Sequence, residues 1–307
     1  MIPASKLLNI FDKTNPFSNL WKNINEQSLP SCLRDIVKID FTEFKNKYHN
    51  FEDNFLKKNL IDSLLQGDIY ILKNTFSKFF LNNLKNYVIK EKFEKKKYEF
   101  YKILDGVPNF TRDIDENLSK NYAVPQVKTT TYFFPFNESS EQFKIYEGVY
   151  PAWRTIKFIS GYFEDVWEKN IPSDGIVDRL QVVRYPPNTG GMVAHTDPYL
   201  YQRFFISVYL SQKGEDFDSG GFYALDKKNQ KIDIEGNLEA GDLCFGLATI
   251  KHGVASPKGF GKKNYNINDL RSGRWFLGLY STETDYTDNR HTTKVIDEKK
   301  NNSFSLF

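Results

Sequence analysis

His195 and Asp197 stand two apart in the run Ala194-His195-Thr196-Asp197, and His252 follows downstream. Two imidazoles and one carboxylate can hold a divalent metal on one face and leave the opposite face open to other ligands, a donor set that suits iron(II) and dioxygen chemistry. A His-x-Asp pair is short enough to arise by accident. Whether the three side chains meet depends on the elements that carry them.

Those elements read as strands. Short β-branched and aromatic runs broken by Gly, Pro, Asn and Asp occupy 177–185, 192–195, 204–210, 221–225, 231–234, 242–247, 250–255 and 275–280, and 128–136 adds one more from upstream. This is the pattern of antiparallel strands in a sandwich or barrel. His195 closes one run, and Asp197, two residues on, shares its strand face, so both can point at one ion. His252 opens another run, and a double-layered jelly roll would bring the two strand ends together. Ahead of the strands, Phe76, Phe79, Phe80, Leu84, Tyr87 and Val88 recur at helical spacing, preceded by a buried strand at 67–72. A second amphipathic helix is expected over 152–169, with Trp153, Ile156, Ile159, Phe163, Val166 and Trp167 on one side. The loop 256–273, with three Gly and four basic residues, is either a lid or an insertion.

The bulk composition is that of a folded chain. Of the 307 residues 16% are aromatic, and 42 basic side chains nearly balance 39 acidic ones. Without a large excess of positive charge, a nucleic-acid partner is not expected, and the basic run Glu94-Lys95-Lys96-Lys97 reads as a solvated helix face. Cys32 and Cys244 are too few for a disulfide framework. Residues 1–15 lack a signal-type apolar core, and no run approaches the roughly 18 apolar residues of a spanning helix. A soluble, cytoplasmic protein with no membrane partner is the expectation.

The segment Val183-Arg184-Tyr185-Pro186-Pro187-Asn188, then Gly190-Gly191-Met192-Val193-Ala194-His195-Thr196-Asp197, resembles the core of the iron(II)- and 2-oxoglutarate-dependent oxygenases, in particular their prolyl-hydroxylase-like branch. The similarity runs on through 203–210, Gly220-Gly221, Gly241-Asp242, His252-Gly253-Val254 and Arg274-Trp275-Phe276. It covers roughly a third of the chain, about 180–281. It implies an α+β fold: a double-stranded β-helix (jelly-roll) core over 126–285, a mainly helical part over 1–125 as support, and a tail over 286–307, all in one domain.

By that resemblance His195, Asp197 and His252 ligate Fe(II), and Arg274 pairs with the far carboxylate of 2-oxoglutarate, for which a guanidinium fork is suited. Tyr209 is similar to a tyrosine that bonds the same carboxylate, and Tyr185 to one lining the co-substrate pocket. Arg271 is a rival to Arg274, because the interval after His252 is long. The implied reaction consumes O2 and 2-oxoglutarate, releases succinate and CO2, and oxidises an unactivated C–H bond of a small molecule, with an amino acid derivative as one candidate, by hydroxylation or by desaturation or ring closure. Asp197 stands where related halogenases carry a small residue, which disfavours halogenation. Arg203 is the candidate to meet a substrate carboxylate, followed by Arg154, Lys128 and the cluster Tyr132-Phe133-Phe134. Two other readings stay open: a prolyl-type protein side-chain hydroxylase, and a jelly-roll module that binds ligand without turnover.

Overall fold

The computed structural model describes residues 11–50, 52–140, 143–288 and 290–296. The expectations for residues 1–10 and for the last part of the 286–307 tail fall outside the described residues. The N-terminal part interleaves helices with strands: α1 (Pro16–Lys22), β1 (Ile36–Asp40), α2 (Phe41–Lys45), α3 (Asn54–Leu65), β2 (Ile69–Lys73), α4 (Lys78–Val88), β3 (Phe110–Ile114) and α5 (Glu116–Ser119). After β4 (Gln126–Phe133) and α6 (Ile145–Ile159) the chain is almost all strand: β5 (Ile176–Tyr185), β6 (Gly191–Thr196), β7 (Phe204–Tyr209), β8 (Ser219–Leu225), β9 (Lys231–Asp233), β10 (Leu243–Leu247), β11 (His252–Lys258), β12 (Arg274–Glu283) and β13 (Lys294–Val295).

From β5 onward successive strands cross between two layers, except β8 and β9, which form a hairpin in one of them. One layer runs β1-β2-β10-β7-β12-β5-β4, with β3 on the far side of β4. The other runs β6-β11-β8-β9, with β13 against β6. Strand β4 bridges them, pairing with β5 through Thr129–Phe133 and with β6 through Gln126 and Val127. Consecutive strands that cross from layer to layer, with antiparallel neighbours throughout the core, give jelly-roll winding. Aromatic side chains close the space between the layers. Phe205 and Tyr209 of β7 contact Phe222 of β8, and Phe205 also lies 4.7 Å from the His252 ring of β11.

Several elements differ from their sequence reading. The N-terminal part is not simply helical, since β1, β2 and β3 all extend the first layer. In α4 the inward face is Leu81, Leu84, Lys85 and Val88, while Phe79 is 76% exposed. Ser77 caps the helix, accepting from the Phe80 N–H. Helix α6 begins well before residue 152 and carries Pro151 inside it. It stops at Ile159 because Gly161 takes φ +80° with its Cα against the backbone of Ser18, where a Cβ would meet Ser18 Cα at 2.8 Å. Phe163, Val166 and Trp167 therefore lie in the turn beyond it. The expected tail contains β13, which pairs Lys294 with Thr196 and Val295 with His195. The basic run at 94–97 is solvated, as expected, but lies in a turn after the helix.

Candidate active site

His195 and His252 face each other across the β6–β11 ladder, register partners with ring centroids 4.4 Å apart. Asp197 leaves the end of β6, where its N–H donates to the Ala248 carbonyl at 2.9 Å and fixes the turn. The carboxylate reaches both histidines: Oδ1 is 3.9 Å from His195 Nε2, and Oδ2 is 3.6 Å from His252 Nε2. The three ligand atoms lie within 4.8 Å of one another.

The local backbone forces this convergence. Gly253 follows His252 at a register irregularity, and a Cβ there would sit 2.5 Å from the Tyr223 hydroxyl and 2.9 Å from the Met192 carbonyl. Only glycine lets β11 approach β6 so closely.

Each histidine is held by its other nitrogen. Nδ1 of His195 bonds the Val193 carbonyl at 2.7 Å, and Nδ1 of His252 bonds the Ile250 carbonyl at 2.9 Å. A carbonyl can only accept, so each Nδ1 carries a proton and each Nε2 is the atom turned toward Asp197. Burial, and then the neighbouring His252, push His195 down to about 3, so it is neutral at physiological pH, the state a metal requires. Thr293 Oγ1 donates to Asp197 Oδ1 at 3.4 Å.

Arg274 opens β12 opposite Tyr185 and lines the same cavity as the triad. It is 1% exposed, and its Nε donates to Glu235 Oε2 at 2.7 Å. Burial opposes its charge, but the Glu235 carboxylate beside it holds the guanidinium above its ordinary value. Among the described residues, Arg274 Nη1 and the Tyr209 hydroxyl are both buried without a hydrogen-bond partner, and the guanidinium lies 5.2 Å from the Tyr209 ring. Two buried donors left open beside one another, at a cost of about 1–3 kcal/mol each, fit an anionic acceptor such as a carboxylate. Tyr185 lines the cavity, with its hydroxyl against Met192 Sδ at 3.9 Å.

Other sequence candidates lie elsewhere. Arg203 is not on the cavity wall. Its Nε donates to the Ser160 carbonyl at 2.9 Å and its Nη1 to the Tyr199 hydroxyl, with the Trp21, Phe11, Tyr199 and Tyr162 rings around it at 4.8–5.6 Å. With its donors and faces so engaged, it joins α1 and the end of α6 to the strand layer and does not meet substrate. Arg154 pairs with Glu168 on the surface, and Phe133 and Phe134 are core. Arg271 is exposed and clamps Asp269, which leaves Arg274 without a rival. No residue of 256–273 lines the cavity; Lys262 and Lys263 tie that loop to Glu215 and Asp216 instead, so the lid reading fails. Lys128 does line the cavity. Sequence reasoning missed Glu235, Arg179 and the segment Arg290 to Thr293, which forms one wall. The available signal for Arg179 was a charge on the same strand face as Tyr185.

No family model matches the sequence, and no curated protein matches it. Solved structures do. A prolyl-4-hydroxylase from Pseudomonas putida aligns over 73% of this chain and 96% of its own at 12% identity, with a TM-score of 0.47. A full-length Neurospora crassa protein solved in complex with alpha-KG aligns over 84% and 86% at 14% identity, also with a TM-score of 0.47. A 2OG-Fe(II) oxygenase family protein from Caulobacter crescentus aligns over 80% and 86% at 14% identity and the same TM-score. Identities and scores at this level leave the functional reading to the side chains of the site.

Proposed function

We propose that the chain is one oxygenase domain, an Fe(II)- and 2-oxoglutarate-dependent dioxygenase that oxidises a C–H bond of a small metabolite and releases succinate and CO2. The observation that carries this reading is the meeting, on one cavity wall, of three convergent metal donors with Arg274, whose buried Nη1 has no acceptor among the described residues. His195 Nε2, the Asp197 carboxylate and His252 Nε2 would hold iron(II). Arg274 Nη1 and the Tyr209 hydroxyl would take the far carboxylate of 2-oxoglutarate, with Tyr185 against its chain. When bound, iron and 2-oxoglutarate together supply the oxidative decarboxylation that activates dioxygen.

The chain's own contribution is geometry and exclusion of water. The Val193 and Ile250 carbonyls hold Nδ1 of both rings and leave Nε2 as the ligating atom. Burial of Arg274 strengthens its contact with a carboxylate relative to water. The cavity, about 280 Å³, is at the small end of ligand pockets and suits a small substrate group.

Anaerobic addition of iron(II) and then 2-oxoglutarate is expected to give a weak visible charge-transfer band, and oxygen is expected to yield succinate with a suitable metabolite from a panel. His195→Ala and Asp197→Ala should abolish both. A wild-type protein without the band overturns the reading, and stimulation of succinate formation by proline-containing peptides alone would replace the metabolite with a peptide.

A further inference from the structure

The cavity holds a second cationic wall that the co-substrate does not use. Arg179 on β5 and Lys128 on β4 both line it. Among the described residues neither makes an ion pair. Arg179 Nε is buried without a hydrogen-bond partner, and the guanidinium's ring contact is with Tyr132 at 5.3 Å. Among the charged groups that act on Arg179 is another cation, Arg290, whose Nη1 is engaged by Asp285 at 2.8 Å and whose Nε is also unpartnered. Lys128, 9% exposed, has only the Met192 sulfur at 3.8 Å from Nζ. Burial pushes it down to about 8, against the pull of Asp197.

The carboxylates on the cavity wall are committed elsewhere. Asp197 faces the two histidines, and Glu283 accepts from the His291 N–H and Nδ1. Buried cations are normally paired, because an unpaired one loses its hydration without compensation. Two unpaired cations on one cavity wall are therefore a cost that a bound anion would remove.

That anion is not the far carboxylate of 2-oxoglutarate. Arg274 pairs across the ladder with Tyr185, and Arg179 with Tyr280, near opposite ends of β5. At about 3.3 Å per residue the two positions are roughly 20 Å apart along the strand, while a five-carbon diacid spans roughly 7 Å. With Arg274 assigned to the far carboxylate of 2-oxoglutarate, Arg179 is left for a second anion.

We infer that the substrate is a small oxyanion, a carboxylate or phosphate ester, whose charged end is received by Arg179 and Lys128 while its oxidised carbon lies toward His195, Asp197 and His252. This inference rests on the oxygenase reading for the oxidised carbon, but the anion site stands on Arg179 and Lys128 alone. The guanidinium fork gives two parallel charge-assisted bonds to either oxyanion, and Lys128 adds a point charge.

The test is calorimetric titration of the full-length protein, with Mn(II) and 2-oxoglutarate, using matched trios: phenylacetate, phenyl phosphate and phenylacetamide, then pentanoate, butyl phosphate and pentanamide. At least one oxyanion is expected to bind about tenfold tighter than its amide, and preference within the trio identifies carboxylate or phosphate as the source. Arg179→Gln should erase the discrimination, and Lys128→Met should reduce it. Equal binding of oxyanions and amides, no oxyanion binding, or undiminished discrimination in Arg179→Gln each overturns the inference. Mn(II)-dependent binding of 2-oxoglutarate is read separately. If it is absent while Arg179-dependent discrimination persists in protein treated with EDTA, the oxygenase reading falls and the anion site remains.

Discussion

The Glu235–Arg274 pair makes a quantitative test of how the co-substrate anchor is held. Both side chains are 1% exposed, and Glu235 Oε2 accepts from Arg274 Nε and from the Phe222 N–H, each at 2.7 Å. Breaking a buried pair by removing one partner costs about 3–5 kcal/mol, because the other charge stays buried. Glu235→Gln keeps the shape and one oxygen for those donors, so the lower figure applies, about 3 kcal/mol. For a chain of this size each kcal/mol moves Tm by about 2 °C, giving a drop of about 6 °C. The same substitution removes a carboxylate that repels any second carboxylate arriving at Arg274. 2-Oxoglutarate would then become the sole counter-charge, and its Kd with Mn(II) is expected to tighten about tenfold, equivalent to about 1.4 kcal/mol. Urea denaturation at pH 7, with and without Mn(II) and 2-oxoglutarate, reads both effects. A variant within about 1 kcal/mol of wild type, or one whose Kd for 2-oxoglutarate is unchanged or weaker, would falsify the electrostatic account.

Three further outcomes follow from neighbouring geometry. Gly221 has φ +99°, and a Cβ there would meet Glu235 Cγ at 2.4 Å; Gly221→Ala should displace Glu235, and its destabilisation should combine with that of Glu235→Gln by less than the sum, since both act on one contact. Arg203→Met should cost about 3 kcal/mol, from two charged hydrogen bonds and the surrounding rings, while Mn(II) affinity stays within about twofold of wild type; a loss of metal affinity without loss of stability would return Arg203 to the site. Burial holds Lys85 down to about 8, with Asp216 at 3.8 Å and the Trp275 ring at 5.3 Å. The unfolded chain holds this proton up to about 10.5, so between pH 8 and 10.5 it binds more protons than the folded chain, and wild-type stability from this group rises with pH. Relative to Lys85→Met, wild type should gain up to about 3 kcal/mol across that window, and a stability difference independent of pH would show that Lys85 is not desolvated.

The metal donors were legible because the constraint on them is local. A strand period of two puts His195 and Asp197 on one face, and the distal run beginning at His252 is marked by its glycine. The place of Arg274 was legible for a similar reason, at the head of an apolar strand that ends on the cavity. What escaped was set by long-range packing. Arg203 follows the His-x-Asp loop closely in sequence, yet α1 and the end of α6, far away in the chain, supply the Trp21 ring and the Ser160 carbonyl that occupy it. Glu235 sits in a short turn after β9 with no pattern around it, and only the layer-to-layer crossing of the chain brings it under Arg274. In α4 the inward face is chosen by packing against the rest of the fold, which buries Leu81, Leu84, Lys85 and Val88 and leaves Phe79 exposed.

The two layers also explain why the site has separable parts. Its metal donors belong to β6 and β11 in one layer, whereas Arg274, Tyr185, Tyr209 and Arg179 belong to β12, β5 and β7 in the other. The layers meet through Phe205, Phe222 and the His252 ring, with centroids 4.7–5.7 Å apart. Phe205 and Phe222 set the gap between metal and anchor without taking part in either. Close packing transmits even a single missing methylene group, so Phe205→Leu is expected to alter both functions together: Mn(II) affinity through His252 and 2-oxoglutarate affinity through the spacing to Arg274. Asp197→Asn, on the metal layer alone, should weaken Mn(II) and leave the Arg179-dependent preference for oxyanions over amides intact. If Asp197→Asn erased that preference as well, the anion wall and the metal centre would be one electrostatic unit, and the division of labour between the layers would be wrong.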